Sequence, residues 1–167
     1  MFRAVLICLL LCVVAIVAVP MDQASTPTTI SYHADLAVMT RKAPYQVVAP
    51  AGLPMIWSPV NSGVAVGGAN GTGTVTWRLG YVTPSGTFAA LEETNAAAGP
   101  FIRRMTNSGT PQAPVQLGDR TWNASENSER GQRSLAVTSP AGVTLVVTGN
   151  ASWAQLRTLA ASLRTEG

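Results

Sequence analysis

The sequence predicts an α+β fold: an N-terminal transmembrane helix, then a single antiparallel sheet of about five to six strands packed against amphipathic helices. Three observations support this class. Residues 4–19 are sixteen consecutive apolar residues without a charge. Residues 79–91 and 135–147 each carry strand-like hydrophobic residues on both sides of a Pro-x-Gly turn. Residues 153–163 repeat apolar side chains at helical spacing.

The N-terminal segment predicts a membrane anchor over residues 1–21. A spanning helix needs about 20 mainly apolar residues, and residues 2–21 reach that length for contact with the lipid bilayer. The only nearby basic residue, Arg3, favours a cytoplasmic N-terminus. The small-x-small cleavage pattern of a secretory signal is poorly matched. We therefore expect a single-pass plasma-membrane protein with an extracytoplasmic domain; the alternative is a chain secreted after signal cleavage.

A polar stalk, residues 22–30, leads to the extracytoplasmic domain, residues 31–167. Residues 31–43 predict a helix with Ser31 as its N-cap and two basic residues in its last turn. Residues 45–48 predict a short strand, which the following Pro- and Gly-rich residues end.

The rest of the domain predicts a strand-hairpin-helix unit that occurs twice. The hairpin segments 79–91 and 135–147 align over thirteen residues, and each is followed by Asn-Ala and a helix. The first helix is predicted at 101–105, and the second follows the capping box Ser152–Gln155. Duplication of one unit and reuse of the same turn chemistry both explain this similarity. We expect the helices to cover one face of the sheet, with Trp77 and Trp122 in the core and shorter strands at 115–117 and 120–122.

The composition excludes several function classes. Charged residues make up 11% of the chain and the net charge is +3, too balanced for an electrostatic nucleic-acid binder. One His and two Cys, both Cys in the anchor, argue against a Ser-His-Asp triad, a Cys/His zinc site and a disulfide framework. We therefore expect a protein that is not an enzyme, with no catalytic residues, cofactor or metal.

Three residues remain as candidates for contact with a partner: Trp57, Arg103 and Arg104. Trp57 lies in a predicted loop, where an exposed aromatic residue is typical of a contact with a partner. A side chain of this size is more often packed in the core. The two arginines are typical of a solvated helix face. The Gly-rich segment 67–73 predicts a loop rather than a phosphate site, since no helix follows it.

Four segments resemble one uncharacterised family of actinobacterial proteins. They are Pro50-Ala51-Gly52-Leu53 with Trp57, WRLGYVTPSGTFAALEETN, VQLGDRTW and VTLVVTGNASWAQLRTLAASLR. Members of this family carry one N-terminal membrane helix and a small extracytoplasmic domain of unknown function. The resemblance therefore implies the same location and fold for this chain, and it supplies no site residues.

These observations predict a membrane-anchored accessory protein that docks on another cell-envelope or membrane protein. The alternative is a binding module for a small or lipid-like envelope ligand, because such sites are concave and mostly apolar. An envelope hydrolase is the third hypothesis, and the single His33, which lies beside the stalk, argues against it.

Overall fold

A computed structural model describes residues 28–67 and 73–166. The predicted anchor, most of the stalk and the centre of the Gly-rich loop lie outside these residues. Within the described part, no helix is both long enough and apolar enough to cross a membrane.

The described chain contains three α-helices and ten β-strands. The helix predicted at 101–105 begins three residues earlier, at Ala98, because Pro100 is tolerated within the first helical turn. In chain order the elements are α1 (His33–Lys42), β1 (Val48–Pro50), β2 (Ser58–Val66), β3 (Val75–Val82), β4 (Phe88–Thr94), α2 (Ala98–Met105), β5 (Thr110–Pro111), β6 (Val115–Leu117), β7 (Arg120–Asn127), β8 (Gln132–Thr138), β9 (Thr144–Gly149), α3 (Trp153–Ser162) and β10 (Leu163–Thr165).

The main sheet is antiparallel, with the strand order β2-β3-β4-β9-β8-β7-β5, and β6 pairs with β7. Its two hairpins, β3-β4 and β8-β9, are joined through the pairing of β4 with β9 at the centre of the sheet. Strands β1 and β10 form a separate two-stranded sheet. The prediction of a single sheet of about five to six strands is therefore wrong, since the main sheet has eight strands and a second sheet has two; the α+β class and the antiparallel pairing are confirmed.

The helices cover both faces of the main sheet, not one as predicted. Leu156 and Leu159 of α3 and Met39 of α1 join the main core on the first face. Phe101 of α2 instead packs on Ala136 and Val146, which point to the second face.

One residue of spacing accounts for this difference between the two repeats. Leu91 and Val147 are directly paired and lie on the same face. Four positions separate Leu91 from Asn95, whereas three separate Val147 from Asn150. Successive residues of a strand alternate between the two faces of a sheet. This one-residue difference therefore leads the chain after β4 to the second face and the chain after β9 to the first face.

Other details also depart from the sequence prediction. Strand β2 was not predicted, because Pro59, Asn61, Ser62 and Gly63 give it little β-propensity. The residue preceding α1 is Tyr32 rather than Ser31, and it makes no side-chain cap.

The first and last strands of the domain also differ from the sequence prediction. Strand β1 lies over 48–50 rather than 45–48, and Pro50 is accepted there because it pairs only at the edge with Leu163. Leu163 itself begins β10, so it does not extend the apolar stripe of α3. Trp77 and Trp122 are buried in the core as predicted.

Candidate functional site: a cleft beside a buried glutamate

The described residues form a cleft with a volume of about 740 Å³. We call it the end cleft. It lies at one end of the main sheet, between the segment that links α1 to β1, the β6–β7 turn and the β8–β9 hairpin. Sites for small organic ligands typically measure about 300–1,000 Å³, so the end cleft has a suitable size.

One wall of the end cleft is apolar. Val137 of β8, Val143 just before β9 and Leu145 of β9 line it, and Val48 of β1 is also part of the lining. The alternation of the strands places Val137 and Leu145 opposite each other on the first face of the sheet. The rim is polar and includes Asp119 and Arg120 from the β6–β7 turn.

Glu93 is buried directly behind this apolar wall. It is fully inaccessible to solvent, and its cross-strand neighbours are Trp77 and Leu145. The backbone N–H of Val48 donates to both carboxyl oxygens, at 3.1 and 3.2 Å. The carboxyl group therefore attaches β1, and with it the small sheet, to the main sheet.

Burial dominates the electrostatics of Glu93. Desolvation raises its pKa from 4.5 to about 8, although the Val48 hydrogen bond and the positive charge of Arg120 act in the opposite direction. The carboxyl group is accordingly protonated over most of the range below pH 8. A neutral carboxyl next to an apolar wall is compatible with an apolar ligand, whereas an ionised one would oppose it.

The hydroxyl of Tyr45 is the unusual polar group of the end cleft. Tyr45 contributes to the lining of the cleft, and its hydroxyl oxygen is buried without a hydrogen-bond partner among the described residues. Desolvation, and next the charge of Glu93, raise the pKa of this hydroxyl above its ordinary value of 10.0. The group is therefore a neutral donor and acceptor at physiological pH.

A second buried donor lies in an adjoining cleft of about 390 Å³. The two clefts share Asp119, Arg120 and Thr165. Trp122 lines the smaller one, and its indole N–H is likewise buried with no partner in the described part of the chain. Buried polar groups are nearly always hydrogen-bonded, so the two unpaired groups make this region the candidate functional site.

The structure separates the three candidate residues that the sequence suggested. Trp57 is 6% exposed and packs edge-on against Tyr81, with 6.2 Å between the ring centroids, so it belongs to the core. Arg103 and Arg104 are exposed on α2, on the face of the sheet opposite to α1 and α3. None of the three lines the end cleft.

His33, the only imidazole of the chain, is exposed at the start of α1 and stacks on Tyr32 at 5.1 Å. It lies outside the end cleft. In the part of the chain that the structure describes, no three His, Cys, Asp or Glu side chains are close enough together to hold a metal ion.

Sequence reasoning missed Tyr45, Glu93 and Arg120 as site residues. They come from three separate segments, which only the tertiary fold brings together. One signal was available: a glutamate at the position opposite Trp77 interrupts an otherwise apolar strand face, and such an interruption predicts a buried carboxyl.

The fold and the cleft thus define a small α+β domain with a mixed polar and apolar cleft at one end of its sheet. The model of the family described as "Protein of unknown function (DUF4245)" matches residues 1–163. The chain belongs to this family. No curated protein matches the chain.

Proposed function

We propose that this chain is a non-enzymatic binding protein, held at the outer face of the plasma membrane by residues 2–21, whose domain binds a small, largely apolar ligand in the end cleft. The observation that supports this function most strongly is a cleft of about 740 Å³ with an apolar wall, lined in part by Tyr45, whose buried hydroxyl has no partner among the described residues. The apolar wall would bury the apolar part of the ligand, and a hydrogen bond with the Tyr45 hydroxyl would orient the ligand.

The energetics favour a ligand with a hydrogen-bond acceptor. An unpaired buried polar group costs about 1–3 kcal/mol, and an acceptor in the end cleft would remove this cost when it bound Tyr45. The apolar part of the ligand would lie against Val137, Val143 and Leu145. Each Å² of apolar surface that it buries adds about 25 cal/mol.

Recovery of the bound ligand tests this proposal. We would extract the full chain from its native envelope in mild detergent and analyse it by native mass spectrometry. The expected result is a small-molecule adduct that Tyr45→Phe reduces and Tyr32→Phe leaves unchanged. Tyr32 is the matched control because it packs against Trp77 and Tyr81 and does not line the end cleft. Equal adducts in both variants would contradict the role of Tyr45.

A protein partner is the second candidate function, and a different surface supports it. Met55 and Ile56 are 100% and 66% exposed, and they directly precede β2, which forms one edge of the main sheet. An exposed edge strand is able to pair with a strand of another protein. Affinity purification of the full chain should recover an envelope protein that Ile56→Asp releases and Arg157→Asp retains.

The tether and the location belong to the same proposal. Residues 2–21 would contact the lipid bilayer, with the N-terminus in the cytoplasm and the domain outside. Protease treatment of intact cells should digest the domain, and N-terminal sequencing of the membrane fraction should find residue 1. A mature chain that begins after position 18 in the medium would establish secretion instead.

A further inference from the structure

A third cleft lies on the opposite face of the main sheet, beside α2, and has a volume of about 410 Å³. We call it the arginine cleft, because Arg78 of β3, Arg104 of α2 and Arg130 of the turn between β7 and β8 all line it. Three separate elements thus bring guanidinium groups to one concave surface. None of these arginines lines the end cleft, so the two sites are independent.

Only one carboxyl group balances these three cations within the lining. Glu92 is 4% exposed, and its Oε1 lies 3.3 Å from Nε of Arg78. In the described part of the chain, Arg104 and Arg130 have no carboxylate within 4.0 Å. The arginine cleft therefore carries an excess of two positive charges while Glu92 is ionised.

Aromatic rings position two of the guanidinium groups. Arg104 lies 5.5 Å above the ring centroid of Phe101, and Arg78 lies 5.9 Å above that of Phe88. A cation over an aromatic face is held by the ring quadrupole. The rings thus restrict these arginine side chains in the free protein, so that less side-chain entropy is lost when an anion binds.

A neutral donor completes the lining. Asn150 accepts a hydrogen bond of 2.7 Å from the backbone N–H of Phe88 through its side-chain oxygen. Asn150 lines the cleft, so its side-chain amide is a neutral polar group of this surface. A concave surface lined by two guanidinium groups that have no carboxylate within 4.0 Å among the described residues is suited to bind an oxyanion.

We propose that the arginine cleft binds the phosphate group of a ligand, with Arg104 and Arg130 as its charged contacts. A phosphate monoester carries about −1.5 to −2 charges at pH 7, which matches the excess positive charge of the cleft. Arginine binds phosphate oxygens in pairs through its planar guanidinium group. The phosphate belongs to a soluble phosphorylated molecule or to a lipid headgroup, and the experiment below distinguishes these two sources.

The test uses the full chain in phosphatidylcholine nanodiscs, titrated with inorganic phosphate and followed through the arginine Nε–H signals in NMR spectra. We expect saturable shifts of Arg104 and Arg130. Arg104→Ala should weaken binding at least about tenfold, as expected for loss of one charge-assisted contact worth about 1.4 kcal/mol or more. Arg103→Ala is the matched control, because Arg103 lies in the same helical turn but does not line the cleft.

Two further arms make the outcome decisive. At pH 8, where Glu92 is ionised, Glu92→Gln removes the opposing carboxylate and should strengthen phosphate binding several-fold, a change that a purely structural role of Glu92 would not produce. Replacing part of the phosphatidylcholine with phosphatidate tests the lipid source: shifts of Arg104 without free phosphate assign a headgroup, and shifts only with free phosphate assign a soluble ligand. No saturable shift in either arm, or equal losses in Arg103→Ala and Arg104→Ala, would overturn the proposal.

Discussion

Glu92 and Glu93 are consecutive residues of β4, yet their carboxyl groups are buried on opposite faces of the main sheet. Glu93 accepts the Val48 N–H on the face that carries α1 and α3. Glu92 pairs with Arg78 on the face that carries α2. Alternation along a strand enforces this separation, so the two groups cannot act together on one substrate: Glu92 lines the arginine cleft, and Glu93 is buried beside Leu145 of the end cleft.

The first prediction concerns the pH dependence of stability. Burial raises the pKa of Glu93 to about 8 and that of Glu92 to about 7. The folded state therefore retains protons that the unfolded state releases above about pH 4.5. Stability should be greatest below that pH and should fall as pH rises toward 7 and 8, by up to about 1.4 kcal/mol per pH unit for each carboxyl.

Urea unfolding between pH 5 and pH 8 checks this prediction. Glu93→Gln keeps an acceptor for Val48 N–H and removes the titration, so it should flatten the pH dependence. Glu129→Gln, an exposed position, should leave it unchanged. A Glu93→Gln protein with the wild-type slope would show that Glu93 does not carry a raised pKa.

The second prediction concerns the Tyr45 hydroxyl in the ligand-free protein. Because this group is buried without a partner among the described residues, Tyr45→Phe should leave the free energy of unfolding unchanged or raise it by about 1 kcal/mol. Chemical denaturation of the ligand-free chain measures the difference. A loss of stability above about 1 kcal/mol would mean that the hydroxyl is paired in solution.

The third prediction concerns Gln155, which joins the start of α3 to the β3–β4 turn. Its side-chain oxygen completes the capping box with Ser152, and its nitrogen donates to Thr83 and Ser85 at 3.0 and 2.9 Å. Gln155→Ala should lower the free energy of unfolding by about 1–3 kcal/mol, since several hydrogen bonds and a helix cap are lost together. Arg157→Ala, on the exposed side of the same helix, should stay within about 0.5 kcal/mol of wild type.

The fourth prediction concerns the docking of α3 on the sheet. Leu156 is fully buried in the main core, so Leu156→Asp would bury an unpaired carboxylate and should unfold the domain. Leu156→Ala should fold and lose about 2–5 kcal/mol. Thermal melting by circular dichroism compares both with Ala154→Asp, an exposed change in the first turn of the same helix. Unchanged melting of Leu156→Asp would contradict the packing.

Local signals account for the parts of the fold that the sequence predicts. The turns that contain Gly86 and Gly142 both adopt positive φ at the glycine, as the Pro-x-Gly patterns indicate, and the capping box at Ser152 forms as expected. These features depend on residues within a few positions of one another, so no tertiary information is needed to find them.

The remaining features depend on tertiary context. The face that α2 covers depends on one residue of spacing after Leu91. Strand β2 forms on the template of β3 in spite of its weak β-propensity. The end cleft combines Tyr45, Arg120 and Leu145, which lie far apart in the sequence, and a single sequence gives no measure of such proximity.

The most direct test of the proposed function is an experimental structure of the full chain purified from its native envelope. We predict that a small molecule occupies the end cleft, with an acceptor atom at hydrogen-bonding distance from the Tyr45 hydroxyl and an apolar part against Val143 and Leu145. A cleft that is closed by the protein's own side chains, with the Tyr45 hydroxyl bonded to one of them, would contradict the account.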